Sequence, residues 1–234
     1  MVYNGTSCGL NKSLWVPNFW LPTAKTAVRS LSFNYCFMDK DLGEMFLNFP
    51  LHPSLAAYSG FDLSHFRKQI CSTAKISIAK GARCFGRWER CWMGLRPSPY
   101  WCVRFYYMAE EFAKGYHKDP SNSLKWDRII LNLPGSRGFN PTMPWVMKWD
   151  TPRQMIAGDI VSFIDDLRIS ACDEETVWAI SRQLLSRYQY LGIQDATRKT
   201  RPPTRDEVTA WAGSVFVTSQ DEVKVTVTDR KSVV

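Results

Sequence analysis

Residues 158–171 read GDIVSFIDDLRISA, and an adjacent pair of carboxylates, Asp165 and Asp166, interrupts an otherwise strongly apolar stretch. Apolar residues flank the pair on both sides, which predicts a strand, a tight turn and a second strand. Because buried strands would hold such a turn rigidly, the two carboxylates would keep a fixed position. Carboxylates held in this way are hard oxygen ligands of the kind that bind Mg²⁺.

A metal site at this turn needs a further ligand from another part of the chain, because an acidic pair at a hairpin turn is by itself more often solvated surface. Asp41 is the best candidate, since it also ends a short apolar segment and is followed by a bulky ring at Phe46. Asp39 and Asp159 are rivals. Taken alone, Asp41 fits an ordinary surface carboxylate better than a metal ligand, so the local pattern leaves the alternatives open.

Composition limits the class of protein and its partners. The chain has 234 residues, 45% of them hydrophobic, enough for one sizeable α/β or α+β domain, or for a core domain with a smaller appendage. A net charge of +8 and a pI near 9.2 indicate a polyanionic partner, either nucleic acid or an anionic membrane surface. No window approaches the ~18 consecutive apolar residues of a membrane helix. Seven cysteines without paired spacing indicate reduced thiols and an intracellular protein, cytoplasmic or nuclear.

Periodicity and turn residues divide the rest of the chain into short elements. Residues 1–20 are expected to be irregular, and residues 34–49 to hold a strand, an acidic cluster and a second apolar piece. Alternation around Lys80-Gly81 predicts a hairpin over residues 69–92. The remaining predictions are a short helix over 22–31, a buried helix from Pro99 to Gly115, an irregular insertion over 117–152 with one strand at 129–133, a helix over 174–190 capped by Asp173, and strands near 211–218 and 223–228.

Five short motifs are spread along the chain. Asp41 is followed by an aromatic residue five positions later, and the acidic turn lies in the sequence FIDDL. In MGLRPSP at 93–99, a glycine turn and Ser-Pro open a helix. The others are YLG at 190–192 followed by Arg198-Lys199, and Trp211-Ala212-Gly213 before two strands. In chain order they resemble motifs A, B, C and D and the primer-grip hairpin of a retroelement reverse transcriptase palm, over roughly residues 18–231, with Lys231 where that family often has a lysine.

The resemblance implies an α+β fold: the palm of a right-hand polymerase, with an antiparallel sheet backed by helices and with partial fingers. It implies a domain over residues 21–231, preceded by the irregular segment 1–20. The segment between motifs B and C is longer than usual in the family, which assigns residues 117–152 to an insertion. Too few residues precede motif A for the usual upstream fingers, so those are expected to be incomplete.

The resemblance also implies the chemistry of an RNA-directed DNA polymerase from a retrotransposable element. Such an enzyme transfers deoxynucleotides from their triphosphates to a primer 3′-hydroxyl, on an RNA or DNA template. Two Mg²⁺ ions about 4 Å apart, with Mn²⁺ as an alternative, stabilise the charge on the entering and leaving oxygens. By resemblance Asp41 and Asp165 would be the principal catalytic metal ligands, with Asp166 supporting them.

Other residues are assigned to substrate contacts by the same resemblance. Phe46 would lie under the sugar of the incoming nucleotide, where a bulky ring leaves no room for a 2′-hydroxyl; a core aromatic is the alternative. Met93 departs from the family, which usually has Gln there, and a thioether cannot make the hydrogen bonds of an amide. The remaining assignments are nucleotide contacts at Leu42, Gly94 and Lys199, and a primer grip that includes Trp211 and Gly213.

Two other interpretations remain open. A truncated retroelement remnant that binds nucleic acid without catalysis is favoured by Met93 and by the absence of full fingers and thumb. An RNA-dependent RNA polymerase palm would share Asp41 and Asp165, but Phe46 favours deoxynucleotides over ribonucleotides.

Overall fold

The computed structural model of the chain describes residues 4–23, 26–27, 35–205, 209–218 and 223–227. The chain divides into two compact units. The smaller unit comprises Met1–Pro17 and Phe46–Cys102, and the larger unit comprises Asn18–Met45 and Val103–Val234. The carboxylates of the acidic turn belong to the larger unit.

Two helices of 17 residues, Ser98–Lys114 and Glu174–Tyr190, are the longest described elements. The α-helices are α1 (Leu10–Ser13), α2 (Pro53–Ala56), α3 (Arg67–Ala74), α4 (Ser98–Lys114) and α5 (Glu174–Tyr190), and single 3₁₀ turns cover Met45–Asn48, Ser64–Phe66 and Thr197–Lys199. The strands are β1 (Cys36–Asp41), β2 (Gly60–Asp62), β3 (Phe85–Arg87), β4 (Arg128–Leu131), β5 (Val146–Asp150), β6 (Met155–Ile156), β7 (Asp159–Phe163), β8 (Asp166–Ala171), β9 (Thr209–Trp211), β10 (Ser214–Thr218) and β11 (Val223–Val227).

The smaller unit corrects two predictions. Helix α1 is one helical turn within the segment that was expected to be irregular. The predicted hairpin over residues 69–92 is wrong, because α3 occupies its first part and β3 pairs with β2, which lies earlier in the chain. Lys75 ends α3 in the left-handed conformation. Alternation in a sequence describes one strand face and carries no information about the partner strand, so it could not reveal this pairing.

The larger unit is built on an antiparallel sheet in the order β1-β8-β7. The prediction of strand, tight turn and strand over residues 158–171 is confirmed by β7 and β8. Side chains directly opposite each other in an antiparallel sheet lie on the same face. The register therefore sets two rows at the end of the sheet, with Asp41, Asp166 and Phe163 on one face, and Lys40, Leu167 and Ser162 on the other.

Helix α5 packs against one face of this sheet, on strands β8 and β1. Its predicted bounds and its N-cap are confirmed: the Asp173 carboxylate accepts a hydrogen bond from the Thr176 N–H at 2.7 Å. Each large apolar side chain removed from water at this contact contributes roughly 1.5–3 kcal/mol. The buried face of the helix comprises Val177, Ile180, Ser181, Leu184 and Tyr188.

Helix α4 has its predicted extent, from Ser98 to the residue before Gly115, whose positive φ of 69° is the usual helix-ending conformation. The expectation that it is a buried helix is wrong in part. Cys102 and Tyr106 are fully buried, but Met108 and Phe112 are more than half exposed. The sequence is apolar around most of the helix circumference, so it could not show which face would be covered.

Residues 117–152 contain more structure than the predicted single strand. Strands β4, β5 and β6 form an antiparallel sheet in that order. The buried Asn132 side chain closes the loop between β4 and β5 by donating to the carbonyls of Asn140 and Met143. The predicted insertion therefore contains two strands of a small sheet, β4 and β5, and the third strand, β6, follows it.

The remaining predictions concern the chain ends. The predicted strands near 211–218 and 223–228 correspond to β9, β10 and β11, which form a third antiparallel sheet. Most of the predicted helix over 22–31, as well as Lys231, lies outside the described residues. None of the helices in the described ranges is both long and apolar enough to cross a membrane.

Candidate active site

The turn between β7 and β8 places Asp165 at the end of the sheet. Phe163 and Asp166 are opposite each other in the register, so only Ile164 and Asp165 form the loop. Ile164 has a φ of 55°, and a positive φ at the first loop residue is typical of a type II′ hairpin. Glycine is the usual residue there, and a non-glycine residue in such a conformation costs about 1–3 kcal/mol. The turn therefore stores strain that its surroundings must offset.

Strand β1 brings Asp41 to the same end of the sheet. Asp41 is the register partner of Asp166, and the N–H of Leu42 donates to the carbonyl of Asp165 at 2.9 Å. This hydrogen bond ties the end of β1 directly to the turn. The structure thus brings together the three acidic residues that were predicted as a site from separate segments of the sequence.

Burial and neighbouring negative charges raise the pKa values of Asp165 and Asp166. Burial is the largest cause of the shift at Asp166, followed by the negative charges of Asp165, Asp41 and Asp39, and together they raise its pKa to about 6. Burial also raises the pKa of Asp165, with a contribution from Asp41. A bound cation would relieve this repulsion, so the electrostatics of the site favour a positively charged ligand.

Replacing Asp166 with asparagine should therefore raise the melting temperature of the metal-free protein at pH 7.5 by about 2–5 °C. The pKa of Asp166 is raised in the folded state, so its charge destabilises the fold above about pH 6 and has no effect once it is protonated in both states, below its ordinary value of 3.8. The advantage of the variant should accordingly disappear as the pH falls toward 4. Thermal unfolding followed by circular dichroism from pH 7.5 to 4 measures this.

Asp62→Asn is the control for this experiment. Hydrogen bonds from Ser64 lower the pKa of the exposed Asp62 carboxyl, so its charge is favourable in the fold. Asp62→Asn should not raise the melting temperature at pH 7.5. Equal melting temperatures for Asp166→Asn and the wild type at pH 7.5 would contradict the repulsion.

Lys199 neutralises part of the acidic cluster. Its Nζ donates to Asp41 Oδ2 at 2.6 Å, and this bond raises the pKa of Lys199. The segment around it is fixed to the end of β1, because the N–H of Ala196 donates to the carbonyl of Asp41 at 3.0 Å. The prediction that placed Lys199 near the site from the motif D resemblance agrees with this position, although its partner here is a carboxylate.

Lys40 is a charged residue that the sequence did not single out. It lies on the opposite face of β1 from its neighbours Asp39 and Asp41, and it is buried. Its Nζ lies 3.8 Å from Asp195 Oδ1 and donates to Thr200 Oγ1 at 3.0 Å. Burial lowers its pKa. Lys40 thereby anchors both ends of the segment that carries Lys199.

The hairpin of β9 and β10 holds Asp166 from the other side. Trp211 Nε1 donates to the carbonyl of Asp166 at 3.3 Å, and the N–H of Ala212 donates to its carboxylate, which lowers its pKa slightly against the larger opposing causes. Ala212 and Gly213 both have positive φ angles in the turn. Trp211 and Gly213, predicted as primer-grip residues, therefore lie beside the acidic cluster. Asp166 therefore already has two protein donors, one at its carbonyl and one at its carboxylate.

Arg168 pairs with both carboxylate oxygens of Asp39. It donates through Nε and Nη2 to the two Asp39 oxygens at 2.7 and 2.8 Å, and it is almost fully buried. The guanidinium also lies over the rings of Phe216, Phe37 and Trp211, with centroid distances of 4.4, 5.5 and 5.6 Å. Such contacts between a cation and aromatic faces add to the ion pair. Sequence reasoning missed Arg168, since only the register places it opposite Asp39.

The other rival carboxylate, Asp159, is also engaged elsewhere. Its Oδ1 accepts from Lys148 Nζ at 2.8 Å and from the N–H of Ile160 at 2.9 Å. Asp159 begins β7, whereas the acidic turn follows the end of that strand. Asp41 is therefore the carboxylate that joins the turn.

The predicted residues Phe46, Met93 and Gly94 belong to the smaller unit. Phe46 is partly buried in a 3₁₀ turn, and Met93 is 58% exposed. Gly94 has a φ of 99°, which only glycine adopts readily, and its carbonyl accepts a hydrogen bond from Asn11 Nδ2 at 2.9 Å. Asn11 also accepts from the N–H of Arg96 at 2.8 Å. Asn11 thus fixes the glycine turn, a role that no sequence pattern predicted.

The chemistry of the donor set fits Mg²⁺, because carboxylate oxygens are its preferred protein ligands. Among the residues that the structure describes, no three His, Cys, Asp or Glu side chains already converge closely enough to hold a metal ion. One reason is that the Asp41 carboxylate is paired with the ammonium of Lys199. A metal would have to replace the ammonium of Lys199 at Asp41.

Among solved structures, the chain is similar to a foamy viral protease-reverse transcriptase, dRH, determined in complex with double-stranded DNA. The two superpose with a TM-score of 0.55 over 93% of this chain, at 12% sequence identity. The chain has a reverse transcriptase-like fold. It spans 27% of the length of that viral chain. The predicted mixed α and β class with antiparallel sheets is confirmed at this level.

The sequence itself gives a different relative. It is 27% identical over 154 residues to the capsid protein of Torque teno tupaia virus, isolate Tbc-TTV14, covering 63% of this chain and 29% of that protein. No protein-family model matches the sequence.

Proposed function

We propose that this chain is the RNA-directed DNA polymerase domain of a retrotransposable element, which transfers deoxynucleotides to a primer 3′-hydroxyl on an RNA or DNA template. The observation that carries the proposal is the register that sets Asp41 opposite Asp166, with Asp165 in the turn beside them. Carboxylates from separate segments at one end of a sheet suit two-metal chemistry. The reverse transcriptase-like fold supports the same function. Within that fold, we assign the chain to the palm and part of the fingers.

The proposed roles follow from the contacts of each carboxylate. Asp41 and Asp165 would be the principal ligands of two Mg²⁺ ions, or of Mn²⁺. Bound there, the ions would stabilise negative charge on the entering and leaving oxygens. Asp166, already held by Trp211 and Ala212, would support the site electrostatically.

Lys199 would change partners during substrate binding. Its ammonium now pairs with Asp41, and a metal at that carboxylate would displace it. The displaced ammonium would remain close to the acidic cluster, where the triphosphate of an incoming nucleotide arrives. Its side chain is half exposed, which leaves it room to make this exchange.

Nucleic acid binding is part of the proposal. The net charge of +8 suits the phosphates of a template and primer. The similar foamy viral structure was determined with double-stranded DNA, which supports a nucleic acid partner for this chain as well. Trp211 and Gly213, at the hairpin beside Asp166, would contact the primer end.

A primer-extension assay with the purified protein tests the function. An RNA template annealed to a labelled DNA primer, with Mg²⁺ and the four deoxynucleoside triphosphates, should give template-dependent extension. The same reaction with ribonucleoside triphosphates distinguishes an RNA polymerase. Salt-sensitive binding of the template–primer without extension would reject the polymerase assignment.

Replacing Phe46 with valine should weaken discrimination against ribonucleotides by about 10-fold or more, because a smaller side chain would leave space for a 2′-hydroxyl. The ratio of incorporation efficiencies for dNTP and rNTP measures this effect. Phe49→Val is the matched control, since Phe49 follows the same 3₁₀ turn and is also partly buried. An unchanged ratio in Phe46→Val would assign Phe46 to the core of its unit instead.

A second candidate is a non-catalytic protein that binds nucleic acid. Two observations favour it. Met93 stands at the position where reverse transcriptases usually have Gln. The chain is also 27% identical to a viral capsid protein, and capsid proteins are structural proteins rather than enzymes. The extension assay separates it from the polymerase, because it predicts binding without incorporation at any Mg²⁺ or Mn²⁺ concentration.

A further inference from the structure

A buried polar cluster lies under the acidic turn, between α4, β7 and α5. It comprises Glu110, Tyr106, Ser162 and Tyr188, each at most 6% exposed. Burying a carboxylate and three hydroxyls is costly unless each has a hydrogen-bond partner. The metal chemistry proposed above gives these residues no role.

The hydrogen bonds of the cluster run in one direction. Lys114 Nζ lies 2.7 Å from Glu110 Oε1, and Ser162 Oγ donates to Glu110 Oε2. Because the Ser162 hydroxyl has a single proton and donates it to Glu110, it accepts from Tyr106 OH at 3.3 Å. Tyr106 then accepts from Tyr188 OH at 2.9 Å. Burial raises the pKa of both tyrosines, which keeps them as neutral donors.

Ser162 connects this cluster to the turn. It lies two residues before the strained Ile164 and three before Asp165, and its register partner is Leu167 on β8. Its carbonyl also accepts a weak hydrogen bond from Tyr107 OH at 3.5 Å. The hydroxyl and the carbonyl of Ser162 are therefore both tied to α4, at the point where β7 enters the turn.

The two sides of the turn are thus held by different structures. The hairpin residue Trp211 holds the β8 side through Asp166, and the cluster around Glu110 holds the β7 side through Ser162. Because Ile164 stores strain in the loop between them, loosening either side would allow the turn to relax. Mg²⁺ requires near-ideal octahedral geometry, so a relaxed turn would bind it less well.

We propose that Glu110 is a positioning residue which, through Ser162, holds the Asp165 turn in the geometry that Mg²⁺ requires. This inference rests on the proposed polymerase function. Glu110 itself contacts neither metal nor substrate. Its effect should appear as a change in metal affinity and in metal preference, which a role confined to stability would not produce.

Three variants separate the contributions. Ser162→Ala removes the link to the turn and leaves the pair of Glu110 and Lys114 intact. Glu110→Leu removes both, whereas Glu110→Gln keeps an oxygen acceptor for Ser162 and should retain more function. The matched control is Glu111→Gln: Glu111 is the next residue on α4 and also lies 2.7 Å from Lys114 Nζ, but it is exposed and has no contact with Ser162.

The first measurement is Mn²⁺ binding to the metal-free protein, followed by electron paramagnetic resonance. Ser162→Ala and Glu110→Leu should weaken binding by about 10-fold, the lower end of the effect of residues that orient metal ligands. Glu111→Gln should bind as the wild type does. The second is primer extension, in which both variants should need about 10-fold more Mg²⁺ for half-maximal rate, with a smaller increase for Mn²⁺. The double variant Ser162→Ala/Glu110→Leu should lose little more metal affinity than Ser162→Ala alone.

Wild-type metal affinity in Ser162→Ala and Glu110→Leu, with only a lower melting temperature, would overturn the proposal. Extension by the wild type alongside unchanged metal dependence in the variants would reject the role of Glu110 and leave the polymerase function standing. If the wild type did not extend primers, the polymerase function would fail, and the Mn²⁺ titration would still decide the role of Glu110. Absence of Mn²⁺ binding by the wild type would overturn both.

Discussion

Replacing Asp165 with asparagine should lower primer extension by about 10³-fold or more, because several kcal/mol of transition-state stabilisation depend on its metal-binding oxygens. Asparagine has nearly the same shape and keeps the backbone carbonyl that accepts from Leu42 N–H, so the turn should keep its structure. Steady-state extension with saturating template–primer measures the loss. Circular dichroism and thermal unfolding establish that the variant is folded.

Asp159→Asn is the matched control for this prediction. Asp159 is an aspartate at the opposite end of β7, and it pairs with Lys148 rather than with the acidic cluster. Its replacement should leave extension within about 3-fold of wild type, since surface ion pairs contribute little. If the Asp165→Asn variant extended primers at the wild-type rate, Asp165 would not be a catalytic metal ligand. If both variants lost extension activity equally, the cause would be damage to the sheet.

Replacing Arg168 with methionine should destabilise the fold by about 3 kcal/mol, which corresponds to a fall of roughly 6–12 °C in melting temperature. The cause is the loss of a buried bidentate ion pair, which leaves the Asp39 carboxylate near Asp41 and Asp166 without its counter-charge. The three aromatic rings around the guanidinium also lose their cation. Urea unfolding followed by tryptophan fluorescence measures the change.

A second substitution tests this explanation. If the unpaired Asp39 charge is the main cost, Arg168→Met combined with Asp39→Asn should recover much of the lost stability. Arg182→Met, on the exposed side of α5, should change stability by less than about 0.5 kcal/mol. A double variant as unstable as Arg168→Met alone would assign the cost to packing around the rings instead.

The sequence predicted those parts of the fold whose causes are local. The strand–turn–strand of GDIVSFIDDLRISA follows from apolar residues on both sides of a polar turn, and β7 and β8 confirm it, although Asp166 begins β8 and does not lie in the turn. Helix α5 was likewise predictable, since its N-cap Asp173 and its apolar period lie within one segment. Glycine after α4 marked the end of that helix for the same reason.

Predictions failed where a structure depends on a partner far away in the chain. The alternation around Lys80 could not reveal that β3 pairs with β2, and the apolar residues of α4 could not reveal which face is covered. Each of these outcomes is decided by packing between distant segments, which leaves no periodic mark in either segment alone.

For the candidate site, the sequence by itself determined the carboxylates and the turn that presents Asp165. Only the tertiary structure decided which other charges accompany them: Asp41 joins the cluster, Arg168 claims Asp39, Lys199 pairs with Asp41, and Glu110 holds Ser162. The physical reason is that a turn is specified by backbone preferences of adjacent residues, whereas an ion pair depends on strand register and helix packing. Register and packing join residues that are far apart in the chain: Asp41 and Lys199 are separated by 158 positions.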